Sequence, residues 1–182
     1  MLLHSPTAAF GSPAPAFTLS DSGGDPHALD QLMGAKGVLI AFICNHCPYV
    51  IEIMPRFVRD IALLQDAGIN VVCINANDYH SYPADAPDRM PAFAAEFGLD
   101  APYLIDEDQS VARAYGAVCT PDFFGYGAET GLQYRGRLDD AGMRGRADNR
   151  VPELVNAMRQ IAETGQGPEQ QTPAMGCSLK WK

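Results

Sequence analysis

Val38-Leu39-Ile40-Ala41-Phe42-Ile43-Cys44-Asn45-His46-Cys47-Pro48 is the stretch that decides how this chain folds. Six apolar residues in a row, bounded by Gly37 and polar Asn45, have the pattern of a strand buried on both faces. Beyond Pro48 the spacing becomes helical: Val50, Met54, Phe57, Val58, Ile61 and Leu64 fall on one side. Pro48 suits a first helical turn and Gly68 a C-terminal cap, and Pro55 is expected to kink the helix. The two cysteines therefore sit where a buried strand hands over to a long helix.

That position carries chemistry. Cysteines at i and i+3 in a first helical turn bring their Cα atoms to about 5–6 Å, within disulfide range. The helix N-terminus offers partial positive charge and free N–H groups, which favour thiolate over thiol. His46 lies between the two, and its protonated form adds to that effect. A thiolate with a second thiol in reach is what thiol–disulfide exchange requires. Cys44, at the very end of the helix, is expected to be the more exposed, to have the lower pKa and to attack. Cys47, one turn in, is expected to resolve the mixed disulfide. Two other readings stay open: a metal site built from Cys44, Cys47, Cys119 and His46, and a pair of structural cysteines.

Working outward, Ile69 to Asn75 reads as a second buried strand, Asp88 to Phe97 as a helix and Tyr103 to Ile105 as a short strand. Asp108 to Tyr115 reads as a helix stopped by Gly116, with Asp106-Glu107-Asp108 a solvated cap at its start. Asp122 to Tyr126 and Leu132 to Leu138 flank Gly127 to Gly131 as a hairpin. Upstream, residues 1 to 30 are Pro-, Gly- and Ser-rich, with a strand-like piece at Phe17 to Leu19 and a short helix from His27 to Met33. Downstream, a last helix opens at Val151-Pro152-Glu153, and residues 164–182 form a tail whose end, with the lone Trp181, is expected to dock on the domain. Strands alternating with helices imply right-handed parallel crossovers, and the late hairpin is antiparallel. The expected architecture is α/β: one domain over residues 1–182, with a central mixed sheet, helices on both faces, an N-terminal extension and the docked tail.

Composition fits a cored globular protein and excludes several functions. The chain has 182 residues, 47% of them hydrophobic and 19% charged, so it can bury enough apolar surface to fold. Its net charge of −9 is the wrong sign for general nucleic-acid binding or for an anionic membrane surface. No run approaches the roughly 20 apolar residues of a bilayer span. Met1-Leu2-Leu3-His4-Ser5-Pro6 lacks the basic start of a signal peptide, and the expected compartment is the cytoplasm. Five cysteines, an odd number, argue against a stapled scaffold. No glycine-rich nucleotide-binding pattern occurs, and neither a cofactor nor a resident metal is expected.

Val118-Cys119-Thr120-Pro121 is the second feature. Pro121 opens a strand, where it donates nothing to the ladder. A cis bond there leaves the Thr120 backbone free to pair with an extended peptide near the sulfurs. Taken with strand, CxxC, helix and final hairpin, these residues resemble the thioredoxin fold. Gly11-Ser12-Pro13-Ala14-Pro15-Ala16-Phe17-Thr18-Leu19 resembles the opening of its redoxin and alkyl-hydroperoxide-reductase/thiol-specific-antioxidant branch. Cys44-Asn45-His46-Cys47-Pro48-Tyr49-Val50, Gly136-Arg137-Leu138-Asp139-Asp140 and Gly176-Cys177-Ser178-Leu179-Lys180-Trp181-Lys182 resemble a peroxiredoxin-like subfamily. The resemblance implies a cis bond before Pro121, Cys44 and Cys47 as the redox pair, and a thiol–disulfide oxidoreductase. Its partners would be a disulfide-containing protein or small-thiol substrate and a thiol reductant such as thioredoxin or glutathione.

The chain also departs from that pattern. Thioredoxin proper carries a buried carboxylate in the preceding strand, and Gly37 to Ile43 contains none. In peroxiredoxins the peroxide-reacting cysteine precedes a proline and follows a Thr or Ser by three. Cys47-Pro48 matches, with Cys44 at the Thr/Ser position, so a thiol peroxidase working through Cys47 is the alternative. The arginine those enzymes place beside the thiolate has only Arg113 and Arg135 as candidates. Cys73, in an apolar run, reads as an inert buried thiol. Cys119 and Cys177 are possible accessory redox groups, Cys177 being either a third resolving thiol or a tail anchor. Arg144-Gly145-Arg146 reads as a surface loop.

Overall fold

A computed structural model describes residues 1–144 and 149–182. The loop Arg144-Gly145-Arg146 lies outside the described residues, apart from the backbone of its first member. The chain runs β1 (Leu2–His4), β2 (Thr18–Asp21), β3 (Pro26–Ala28), α1 (Leu29–Leu32), β4 (Gly37–Phe42), α2 (Pro48–Asp66) and β5 (Ile69–Asn75). It continues through α3 (Met90–Phe97), β6 (Tyr103–Ile105), α4 (Ser110–Tyr115), β7 (Cys119–Thr120), β8 (Asp122–Gly127) and β9 (Gly131–Tyr134). It closes with α5 (Glu153–Thr164) and β10 (Met175–Ser178). The main sheet has the order β3-β2-β6-β5-β4-β8-β9. β4 is an interior strand, parallel to β5 and antiparallel to β8. This is the thioredoxin-like, mixed-sheet α/β arrangement expected from the sequence.

Strand alternation explains why β4 is apolar throughout. Leu39, Ala41 and Ile43 pack into a core with Met54, Phe57 and Ile61 of α2 and Leu154 and Met158 of α5. Val38, Ile40 and Phe42 point the other way, towards Leu29, Val111 and Tyr115. A strand covered on both faces has no position left for a polar side chain. Pro48 occupies the first turn of α2, and Pro55 is carried within a continuous helical span of 19 residues. Among the described residues, no helix is long and apolar enough to cross a membrane.

Several boundaries differ from expectation for identifiable reasons. His27 pairs with Leu19 in a ladder, so the expected helix shrinks to the four residues of α1. The second hairpin strand ends at Tyr134, because Arg137 N–H donates to Thr172 O (2.9 Å) and the chain turns to the tail. Asp106 is buried and not solvated; it accepts from the amides of Val111 (3.2 Å) and Ala112 (2.7 Å) and so caps α4 from within. The tail docks more firmly than a polar segment suggests. β10 pairs with both β1 and β7, forming a second sheet of order β1-β10-β7 from the two chain ends and the segment before Pro121.

Candidate active site

The CxxC motif is not laid out as one helical turn. α2 begins at Pro48, so Cys47 is its N-cap and Cys44 stands three residues upstream, just past β4. The reason is a carboxylate that sequence reading did not single out. Asp85 Oδ1 accepts from the amides of Asn45 (2.8 Å) and His46 (3.2 Å), holding the two intervening residues outside the helix. Its other oxygen lies 2.6 Å from His46 Nδ1 and accepts from Asn77 Nδ2 at 2.8 Å. Asp85 sits between Pro83 and Pro87 in the segment joining β5 to α3, and those prolines are the only local hint of a fixed position.

Thr120 and Pro121 face the cysteines across the sheet end, joined by a cis peptide bond as the resemblance implied. Cys44 Sγ lies 3.4 Å from Thr120 Oγ1, and Cys47 Sγ lies 3.2 Å from the Thr120 carbonyl oxygen. The expected free backbone at Thr120 is not there. Thr120 is paired with Cys177 of β10, and Cys119 with Ser178, so the chain's own tail fills the edge reserved for a substrate peptide. Gly176 permits this approach, since a Cβ there would collide with the Thr120 carbonyl oxygen.

The electrostatics reverse the roles expected of the two thiols. Both side chains are fully buried, so neither is the exposed one. The Cys47 thiol is pulled down to about 4, first by the Cys44 S–H donating to it. The Val50 amide, the Thr120 hydroxyl and the Cys177 thiol assist, against the opposition of burial. Cys44 is pushed well above the ordinary thiol value by that same hydrogen bond, by burial and by the negative charge of Asp85. The N-cap position adds to the asymmetry, because the Val50 amide of the first turn acts on Cys47 and not on Cys44. His46 is raised above its ordinary value, chiefly by its bond to Asp85. Its ring stacks on Tyr82 at 5.5 Å between centroids, so it serves Asp85 more directly than the thiolate.

The remaining candidates separate cleanly. Cys73 is fully buried and pushed up by burial alone. Cys119 is buried and pushed up to about 12, with its sulfur against the Pro121 carbonyl. Cys177 retains partial exposure, packs against the core cluster that holds Cys44 and Cys47, and is pushed up by burial and by its neighbour Cys47. Arg113 lies 4.4 Å above the Trp181 ring. Arg135 is held by buried Asp122 at 3.1 Å and lies 4.4 Å over Phe124, so neither arginine takes the place beside the Cys47 thiolate. Cys44, His46 and Asp85 present ligand atoms within 4.8 Å of one another, a grouping that includes neither Cys47 nor Cys119. An ion there would have to open the short His46–Asp85 contact.

The chain is similar to known proteins in sequence and in fold. Thiol-disulfide oxidoreductase ResA of Geobacillus thermodenitrificans is 32% identical over 116 residues, covering 64% of this chain and 62% of that protein. The chain thus matches less than two thirds of the length of that relative. A Mycobacterium tuberculosis protein carrying a provisional peroxiredoxin name is 29% identical over 115 residues, covering 63% of this chain and 68% of its own. Among solved structures, an uncharacterized conserved protein from Geobacillus kaustophilus superposes with a TM-score of 0.90 at 38% identity, covering 100% of this chain and 97% of that one. The AhpC/TSA family model matches residues 10–138, most of the chain and all of the segment from the N-terminal opening to the hairpin. The chain belongs to the AhpC/TSA family.

Proposed function

We propose that this protein is a thiol–disulfide oxidoreductase in which Cys47 is the nucleophile and Cys44 the resolving thiol. One observation carries the reading: Cys47 caps α2 with its thiol lowered, and Cys44, its thiol raised, meets the same residue, Thr120, at 3.4 Å. A thiolate and its resolving thiol are thereby gathered at one residue before any substrate arrives. Cys47 attacks a disulfide sulfur, one thiol leaves, and Cys44 then displaces the second to close Cys44–Cys47. The raised pKa keeps Cys44 protonated until that step. Asp85, through His46 and its own charge, positions the motif and holds the proton on Cys44. The proposed setting is the cytoplasm, where a thiol reductant such as thioredoxin or glutathione returns the pair to the dithiol.

A second reading, a thiol peroxidase, is favoured by the same reversal. The low-pKa sulfur is Cys47, the cysteine followed by proline, and a hydroperoxide would oxidise it to a sulfenic acid that Cys44 captures with loss of water. Two experiments test the proposal. Reduced protein treated with iodoacetamide between pH 5 and 6 should be labelled at Cys47 before Cys44, and labelling of Cys44 first overturns the assignment. A glutathione redox titration with peptide mapping should give a reversible Cys44–Cys47 disulfide, and its absence sinks the exchange reading. Turnover with hydrogen peroxide exceeding that with disulfides would put the peroxidase first.

A further inference from the structure

Three thiols meet at the start of α2. Cys177 stands directly opposite Thr120 in the β7–β10 ladder, and the Thr120 carbonyl oxygen lies 3.2 Å from the Cys47 sulfur. Cys177 also packs against the core cluster that holds Cys44 and Cys47. Of the three, only Cys177 reaches solvent; Cys44 and Cys47 are fully buried. Nor is Cys177 needed to anchor the tail. Leu179 is buried, Lys180 N–H donates to Asn77 Oδ1 and Lys182 N–H to Gln109 Oε1, both at 2.9 Å, and Trp181 lies under Arg113. β10 thus occupies the strand edge where an extended peptide substrate would pair, and it offers a cysteine to the buried nucleophile as such a peptide would.

We propose that Cys177 is the third thiol of the redox cycle and carries the disulfide from the buried pair to the surface. This rests on the Cys44–Cys47 couple proposed above. The Cys177 sulfur, giving up its proton, attacks the Cys47 sulfur of the Cys44–Cys47 disulfide. The Cys47–Cys177 bond forms and the Cys44–Cys47 bond breaks. Its electron pair leaves on Cys44, which takes up a proton, so there is no net oxidation and the bond has moved. An external dithiol then attacks the exposed Cys177 sulfur and expels Cys47 as a thiolate, the better leaving group of the two. The second thiol of that reductant frees Cys177 and closes its own disulfide.

The electrostatics give this relay its timing. Burial raises the Cys177 thiol, and two further contributions come from Cys47, as hydrogen-bond partner and as negative charge. Both Cys47 contributions vanish once Cys47 is in a disulfide, while the positive charges of Lys180 and the N-terminus, which favour the thiolate, remain. Cys177 is thus a poorer nucleophile while the pair is reduced and a better one once it is oxidised.

The test is a peptide map under non-reducing conditions after one equivalent of hydrogen peroxide and an acid quench. The native protein should yield both Cys44–Cys47 and Cys47–Cys177 linked peptides, and Cys44→Ser should yield an intramolecular Cys47–Cys177 bond. Cys177→Ser and Cys177→Ala should still close Cys44–Cys47. Their reduction by a protein dithiol of the thioredoxin class should slow by about tenfold or more, with reduction by a small phosphine unchanged. Absence of the Cys47–Cys177 peptide from both native protein and Cys44→Ser, or native-rate reduction of the Cys177 variants by the protein dithiol, overturns the relay. Loss of Cys44–Cys47 closure in the Cys177 variants would instead strike the underlying couple.

Discussion

Two aspartates with no exposed surface flank the cysteine motif, and they are held in opposite ways. Asp85 lies on the His46 side, Asp122 below Pro121 on the Cys119 side. Burial pushes both upward. At Asp85 this is outweighed by His46, Asn77 and the Asn45 amide, and the carboxyl stays below its ordinary value. At Asp122 burial prevails over the Arg135 charge, the Ser5 hydroxyl (2.7 Å) and the long Val118 contact (3.4 Å), and the carboxyl is raised. Four contacts shared over its two oxygens, with the His46 charge among them, hold the Asp85 carboxyl down, whereas at Asp122 the Arg135 charge and its donors do not offset desolvation. The two sites should therefore respond oppositely to pH. Asp85 contributes stability present above the ordinary carboxylate pKa and lost as pH falls through its lowered folded value. Asp122 contributes stability present below the ordinary value and lost as pH rises through its raised folded value.

The largest effect should come from removing the cation. Arg135→Met leaves Asp122 buried without its ion-pair partner and should cost about 3–5 kcal/mol in urea unfolding at pH 7. The loss should shrink in acid, where Asp122 takes up a proton. An equal loss at every pH would mean that Arg135 acts by packing on Phe124 and Gly116 O rather than by charge. Next comes Asp85→Asn, which sets an amide N–H against the donors from Asn77 or His46 and should cost about 1–3 kcal/mol at pH 7. The penalty should fall towards acid, because the native carboxyl loses its advantage there. His46, followed by NMR titration, should move down towards its ordinary value. The Cys44 thiol should also move down, having lost the negative charge beside it. A His46 titration unchanged by Asp85→Asn would break the comparison at its stronger end.

What the sequence could and could not disclose follows the same division. β4, β5, α2 and α5 are legible because a continuous apolar run or a helical stripe records burial locally. The cysteine motif and Thr120-Pro121 are legible because the fold leaves them one place to stand. The order of the two cysteines is not. It depends on where α2 begins: Pro48 stands in its first turn, and Asp85, some 40 residues away in the chain, binds the amides of Asn45 and His46 ahead of it. The β1-β10-β7 sheet is equally hidden. Leu2–His4 and Met175–Ser178 carry little periodicity, and their pairing is a contact between the two ends of the chain. Asp122 reads in sequence as one polar residue opening a hairpin strand; its partners Ser5 and Arg135 lie elsewhere in the chain, just past β1 and β9.

The smallest of these perturbations is the most discriminating. Ser5→Ala removes one donor from Asp122 without touching the cation or the core around it. Ser5 is itself buried and follows β1, with its amide donating to Ala174 O at 3.0 Å, so its backbone is fixed independently of its hydroxyl. If burial already dominates Asp122, losing this donor raises the carboxyl further and the site responds by binding a proton. The destabilisation should then stay near the value of one neutral hydrogen bond, about 1 kcal/mol, and should be smaller at pH 4 than at pH 7. If the Arg135 charge instead holds Asp122 firmly ionised, the lost bond is charge-assisted. The cost should then approach about 3 kcal/mol and persist into acid. Chemical denaturation of the variant at the two pH values separates the outcomes, and the second would mean that the two carboxylates are held alike after all.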